Sequence, residues 1–168
     1  MTVNRKKYLD AFKIYWKGYG GWLQIVWSPY FLFALFLLVI LKPIWFQNYS
    51  GDDPWTEYPL GIIPNMVSFS LGAMAIFLSF SNKNFLVIIR QRGKKNSYLI
   101  TVMTAFFHFI LMQFLALFFA FILIAYPNIL ISAIAFFIFM YAISCGIAAA
   151  AALLDMAEIL NHLGTLDD

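Results

Sequence analysis

The sequence predicts an all-α membrane protein. Four transmembrane helices form a bundle, an amphipathic helix precedes them, and both termini face the cytoplasm. Two observations carry the class. The chain is 63% hydrophobic and 11% charged, with a mean hydropathy of +0.82. A soluble domain carries about a quarter charged residues, and 168 residues cannot bury this much apolar surface within themselves. The third observation sets the orientation. Of eleven basic residues, Arg5, Lys6, Lys7, Lys13 and Lys17 precede the first apolar run, and Lys83, Arg90, Arg92, Lys94 and Lys95 fall between the second and third. Only Lys42 lies elsewhere. Short loops rich in Lys and Arg stay cytoplasmic.

The whole chain, 1–168, reads as one transmembrane domain. From Asn4 to Gly21, Tyr8, Phe12, Tyr15, Trp16 and Tyr19 recur at helical spacing, with Lys6, Lys13 and Lys17 on another face. That pattern predicts a helix in the cytoplasmic headgroup layer. Gly18, Gly20 and Gly21 then let the chain turn into the bilayer. About twenty polar or mixed residues precede the apolar runs, so no cleavable signal peptide is expected.

Span one covers about 22–46. Ser28-Pro29 permits two readings: an N-cap with proline at the first helical position, or a kink in a helix that starts near Trp22. The cap is preferred, although Pro29 to Phe46 then gives only about 27 Å of helix. Lys42 can snorkel outward and Trp45 suits the interface. The loop from Gln47 to Pro59 holds Asp52, Asp53 and Glu57 and lacks basic residues, so it is expected outside, with Trp55 and Tyr58 at the membrane surface.

Span two covers about 60–80, with Pro64 in its first turn. Residues 81–97 are expected to form a short interfacial helix and a basic turn. Span three, 98–125, is longer than a perpendicular crossing needs. Tyr126-Pro127-Asn128 is a tight turn, which makes spans three and four an antiparallel hairpin. Span four covers 129–154. Its helix is expected to continue through the tail, 155–168, as far as Gly164, the first plausible stop.

Several features are candidates for function. Ser68, Gly72, Ala75 and Ser79 make a stripe of small residues on span two, and Ala142, Gly146 and Ala150 repeat it on span four. Small residues let helix backbones approach closely. The plain reading is packing inside one bundle; the sharper one is a pore lining or a subunit contact in a homo-oligomer.

His108 is the one ionisable side chain deep in a span, about 15 Å from the start of its helix. Intramembrane ionisable groups are functional candidates. A neutral imidazole is also satisfied by one structural hydrogen bond, so a proton- or gate-related role and a structural one both stand. A dyad of Ser68 or Ser70 with His108 lacks any nucleophile loop or oxyanion hole. His108 and His162 are far apart and Cys145 is alone, so no metal site is expected. No phosphate-cradling loop occurs, and no cofactor is implied. The net charge of +3 belongs to headgroup anchoring rather than to nucleic acid.

In the tail, Leu153, Met156, Ala157, Leu160 and Leu163 share an apolar face beside Asp155 and Glu158. It either packs back onto the chain or docks a cytoplasmic partner, with Asp155, Glu158, Leu160 and Leu163 as the docking residues.

In size, orientation, short soluble ends and the run Pro64-Asn65-Met66-Val67-Ser68-Phe69-Ser70-Leu71-Gly72, the chain resembles the small four-span inner-membrane subunits that accompany bacterial defence or immunity modules. The resemblance implies a non-catalytic subunit that oligomerises and either perturbs the membrane or recruits a cytosolic partner. The sequence reading is therefore a non-enzymatic membrane subunit that conducts ions, senses the bilayer or perturbs it. The alternative is a membrane anchor or immunity-type binding protein, and a third reading is an intramembrane enzyme.

Overall fold

The computed structural model describes residues 5–47, 54–79 and 97–164. Every described element is helical: α1 (Arg5–Tyr19), α2 (Trp22–Val26), α3 (Pro29–Ile40), α4 (Lys42–Gln47), α5 (Glu57–Ser79), α6 (Tyr98–Ala125) and α7 (Ile129–Gly164). Three of them are long and apolar enough to cross a membrane, over Glu57–Ile76, Tyr98–Ala125 and Ile129–Ile159. The basic connector with its expected interfacial helix, and the acidic residues Asp52, Asp53, Asp167 and Asp168, lie outside the described residues.

The first apolar run is not one helix. Gly20 and Gly21 take φ values of 94° and 80°, a left-handed conformation open to glycine at no steric cost, and they end α1. After α2, Ser28 caps α3: Phe31 N–H donates to Ser28 Oγ at 3.3 Å, with Pro29 at the first helical position. The cap reading of Ser28-Pro29 is the one the fold adopts.

α3 then stops after 12 residues, about 18 Å of helix against a hydrocarbon core of about 30 Å. Pro43 explains the break, because it has no N–H to offer the carbonyl four residues back. The frayed end is satisfied locally, as Trp45 Nε1–H donates to the Leu38 carbonyl at 2.8 Å. Lys42 lies over the Phe46 ring at 5.0 Å.

α5 begins at Glu57, three residues before the expected start at Leu60, so Pro64 lies inside the helix rather than in its first turn. The cause is the turn ahead of it: Glu57 N–H donates to the Pro54 carbonyl and Leu60 N–H to that of Thr56. Trp55, expected at the membrane surface, is instead 1% exposed. Its indole N–H donates to Ser132 Oγ at 2.9 Å, and its ring packs on Phe136. Tyr58 is exposed, as expected.

The hairpin is as the sequence predicts. Asn128 Oδ1 accepts from Leu130 N–H at 2.8 Å and starts α7. α7 runs unbroken for 36 residues to Gly164, about 54 Å. It is the spine of the molecule: α6 lies along it, α3 and α4 pack against it, α5 leans on α6, and α1 crosses α6. Two buried clusters follow. One, near α1, includes Val102, Phe106, Tyr141, Cys145 and Met156. The other surrounds Trp55, Ile63, Leu123 and Phe136. Large apolar side chains also cover much of the described surface. Val39, Phe69 and Leu154 are 73%, 71% and 72% exposed, as expected of helices solvated by lipid rather than by water.

A candidate site around His108

Ten residues into α6, His108 is buried at 2% exposure between two tyrosines. Its Nδ1 is 2.6 Å from the Tyr15 hydroxyl on α1. Its Nε2 is 2.9 Å from the Tyr141 hydroxyl on α7. A neutral imidazole has one N–H and one bare nitrogen, so one tyrosine donates to the ring and the other accepts from it. The shorter contact fits Tyr15 O–H donating to Nδ1. Nε2–H then donates to the Tyr141 hydroxyl. The result is a chain of hydrogen bonds from α1 through α6 to α7.

The sequence places these groups by simple periodicity. Tyr15 and Tyr19 are four residues apart on α1, and Tyr141 and Cys145 four apart on α7, so each pair shares a helix face. The Tyr19 ring stacks on the imidazole with centroids 4.2 Å apart. Gly18 makes the approach possible, since a Cβ there would lie 2.8 Å from Thr104 Cγ2. Burial, chiefly, pushes the Tyr15 hydroxyl up to about 12, with smaller contributions from Tyr19 and Cys145. Burial raises Tyr19 too.

His108, Tyr15 and Tyr141 also form one wall of a cavity of about 770 Å³. α1 and α2 bound it at one end, and α3, α6 and α7 form its sides.

Compared with known proteins, the chain matches no protein family, no curated protein and no solved structure.

The other residues singled out from the sequence separate into distinct places. Ser68, Gly72, Ala75 and Ser79 face outward, and a Cβ on Gly72 would meet nothing within 4 Å. Among the described residues nothing packs against Gly72 within this stripe. The hydroxyls of Ser68 and Ser79 donate to the carbonyls of Pro64 and Ile76 on their own helix. On α7, by contrast, Ala142 is fully buried, and a Cβ on Gly146 would stand 3.1 Å from Phe109 Cζ. These two are small because α6 and α7 need the space. Ala150 is exposed and, with Gly146 and Ser70, borders a second cleft of about 500 Å³.

Neither serine of the suggested dyad reaches His108. Ser70 is fully buried, donates to the Met66 carbonyl and accepts from Gln113. Gln113 is thus held through its Nε2–H, at 3.1 Å from Ser70 Oγ, while its buried Oε1 has no partner among the described residues. Among the described residues no group of three or more His, Cys, Asp or Glu could hold a metal ion.

In the tail, Met156 is buried, and Leu153 and Ile159 pack on the same cluster as Tyr98 and Leu99 of α6. Of the apolar face, Leu153 and Met156 therefore pack back onto the chain, and Ala157 is exposed. Asp155 and Glu158 are exposed. Leu160 and Leu163 belong to α7, and their side chains lie outside the described residues.

The sequence reading selected His108 and missed Tyr15, Tyr19 and Tyr141. The signal was present in part: two tyrosines four apart on the aromatic face of α1. Nothing local shows that this face covers α6 rather than headgroups.

Proposed function

We propose that the chain is a non-enzymatic, multi-pass subunit of a bacterial inner membrane, with both termini in the cytoplasm, that senses or perturbs the bilayer through α1. In this reading α5, α6 and α7 cross the membrane, and α2, α3 and α4 together make the remaining pass along α7. α1 is the moving part, fastened to the bundle by the His108 chain. One observation carries the reading: a buried histidine is spent on tying an amphipathic, basic helix to two apolar ones. The alternative uses of that imidazole are weakened by its surroundings, since among the described residues it touches no serine nucleophile and no set of metal ligands.

The test pairs two readouts on the full chain in liposomes. A nitroxide at position 14, in a Cys145→Ser background, reports the mobility of α1, and Ile14 is exposed in the fold. Release of a trapped dye reports bilayer perturbation. With His108 present the label is immobile and the vesicles are tight; with His108→Ala the label loosens and dye escapes faster. Unchanged mobility and unchanged release in the variant contradict the reading.

A second reading is supported by the outward stripe on α5. Ser68, Gly72, Ala75 and Ser79 form a flat face that another copy can approach closely, which makes the subunit a homo-oligomer and leaves room for a pore between copies. Gly72→Leu tests it by the distribution of oligomers in cross-linked vesicles. The reading expects fewer oligomers, and an unchanged distribution counts against it. Recruitment of a cytoplasmic protein through Asp155 and Glu158 has weaker support, because Leu153 and Met156 nearby are already packed on the cluster shared with α6.

A further inference from the structure

We infer that the cavity beside His108 holds one acyl chain of an anionic phospholipid, with the headgroup held by Lys13 and Lys17. The inference rests on the reading that α1 is docked against α6, because α1 supplies both lysines.

Three observations converge on this occupant. The cavity measures about 770 Å³, within the range of roughly 300–1,000 Å³ that small-molecule sites occupy. Away from α1 its walls are apolar side chains from both long helices, among them Leu111, Leu115, Phe137 and Ile138. At the α1 end Lys13 and Lys17 join the lining, with Trp16 and Trp22 beside them. Among the described residues the lining includes no acidic side chain. Among the described residues the only ion pair of these lysines is Lys13 with Asp10, at 3.8 Å on an exposed surface, which leaves their charge largely uncompensated.

An apolar slot with cations and indoles at one end matches the profile of a lipid: acyl chain, interface, phosphate. A bulk-facing polar ligand would leave its hydrogen-bonding groups against Leu115 and Phe137 without partners. A second protein helix is excluded by size, since its diameter is about 10–12 Å with side chains and its volume exceeds the slot. The bilayer supplies the phospholipid at high concentration beside the site. Occupancy would brace α1 against α6 and make the His108 latch sensitive to lipid charge.

The experiment uses the full chain in phosphatidylcholine vesicles doped with a phosphatidylglycerol that carries a diazirine on one acyl chain. Photolysis followed by peptide mapping is expected to label α6 and α7 around Leu115 and Phe137. Lys13→Gln and Lys17→Gln should each lower the labelling by roughly fivefold, the effect of one basic residue near an anionic surface. Leu115→Trp should block it by filling the slot. Equal labelling by a phosphatidylcholine probe, indifferent to both lysine variants, would reduce the occupant to ordinary surrounding lipid and overturn the proposal. Labelling by a diazirine fatty acid but not by the phosphatidylglycerol probe would overturn the phospholipid assignment. A cysteine pair, Phe12→Cys with Phe107→Cys, whose native rings lie 5.9 Å apart, is followed with a short bifunctional thiol reagent in the same vesicles. If the pair cross-links and labelling is unselective, the lipid proposal fails alone; if the pair does not cross-link, the docking of α1 fails with it.

Discussion

Trp55 and Ser132 are joined across 77 residues of chain by a hydrogen bond of 2.9 Å from the indole N–H to the hydroxyl. The same hydroxyl donates to the Trp45 carbonyl at 2.6 Å. One serine at the start of α7 therefore holds both α4 and the segment that leads into α5. Ser132→Ala leaves a buried indole N–H and a carbonyl without partners. The expected loss is about 1–2 kcal/mol of stability, read as a lower midpoint in denaturant titrations of the detergent-solubilised protein. No change in midpoint would mean that the clamp is dispensable.

The two tyrosines on His108 belong to one network, so their effects should not add. Tyr15→Phe and Tyr141→Phe are each expected to cost about 1 kcal/mol. Through the shared imidazole the double variant should depart from the sum by about 0.5 kcal/mol or more. The measurement is a double-mutant cycle from unfolding curves, repeated in a His108→Ala background. There the coupling should vanish.

Gly146 and Gly72 look alike in sequence and should behave oppositely. A side chain at Gly146 collides with Phe109, so Gly146→Val is expected to cost about 1–3 kcal/mol through overpacking. Gly72→Val meets open space and should leave the stability of the single chain within about 0.5 kcal/mol. Thermal melts of both variants in the same detergent decide the comparison.

Tyr15 gives a pH dependence of defined sign. Burial holds its hydroxyl at about 12 against an ordinary 10.0, so the folded protein disfavours the phenolate. A raised folded value contributes stability that is fully present below about pH 10 and is lost as the pH rises through about 12. The protein should keep its midpoint up to about pH 10 and then lose stability more steeply than Tyr15→Phe. Parallel profiles for the two proteins would show that Tyr15 is not buried as described.

Much of the fold was legible because long apolar helices advertise themselves. The bounds of α6, the turn at Tyr126-Pro127-Asn128 and the cap at Ser28 follow from apolar runs and from turn and cap chemistry. Pro43 was passed over because apolar residues surround it on both sides, and composition does not register a missing N–H. Which face of a helix points inward was not legible. In a water-soluble helix the polar side marks the outside; in α5 every side is apolar. Ser68 and Ser70 are the same residue two positions apart, and only the fold shows that Ser70 is buried and Ser68 is not. His108 stood out because an ionisable group in an apolar run is expensive. Its partners lie 93 and 33 residues away, beyond any local pattern.

The docking of α1 onto α6 through His108 is the claim on which the functional account depends. Its direct measurement is cross-linking of Phe12→Cys with Phe107→Cys, whose native rings lie 5.9 Å apart, by a short bifunctional thiol reagent, in a Cys145→Ser background, in lipid vesicles. The account predicts a rapid intramolecular cross-link that His108→Ala slows and that leaves His108-independent pairs elsewhere in the bundle unaffected. A pair that fails to form with His108 intact, or that forms equally fast without it, would contradict the account.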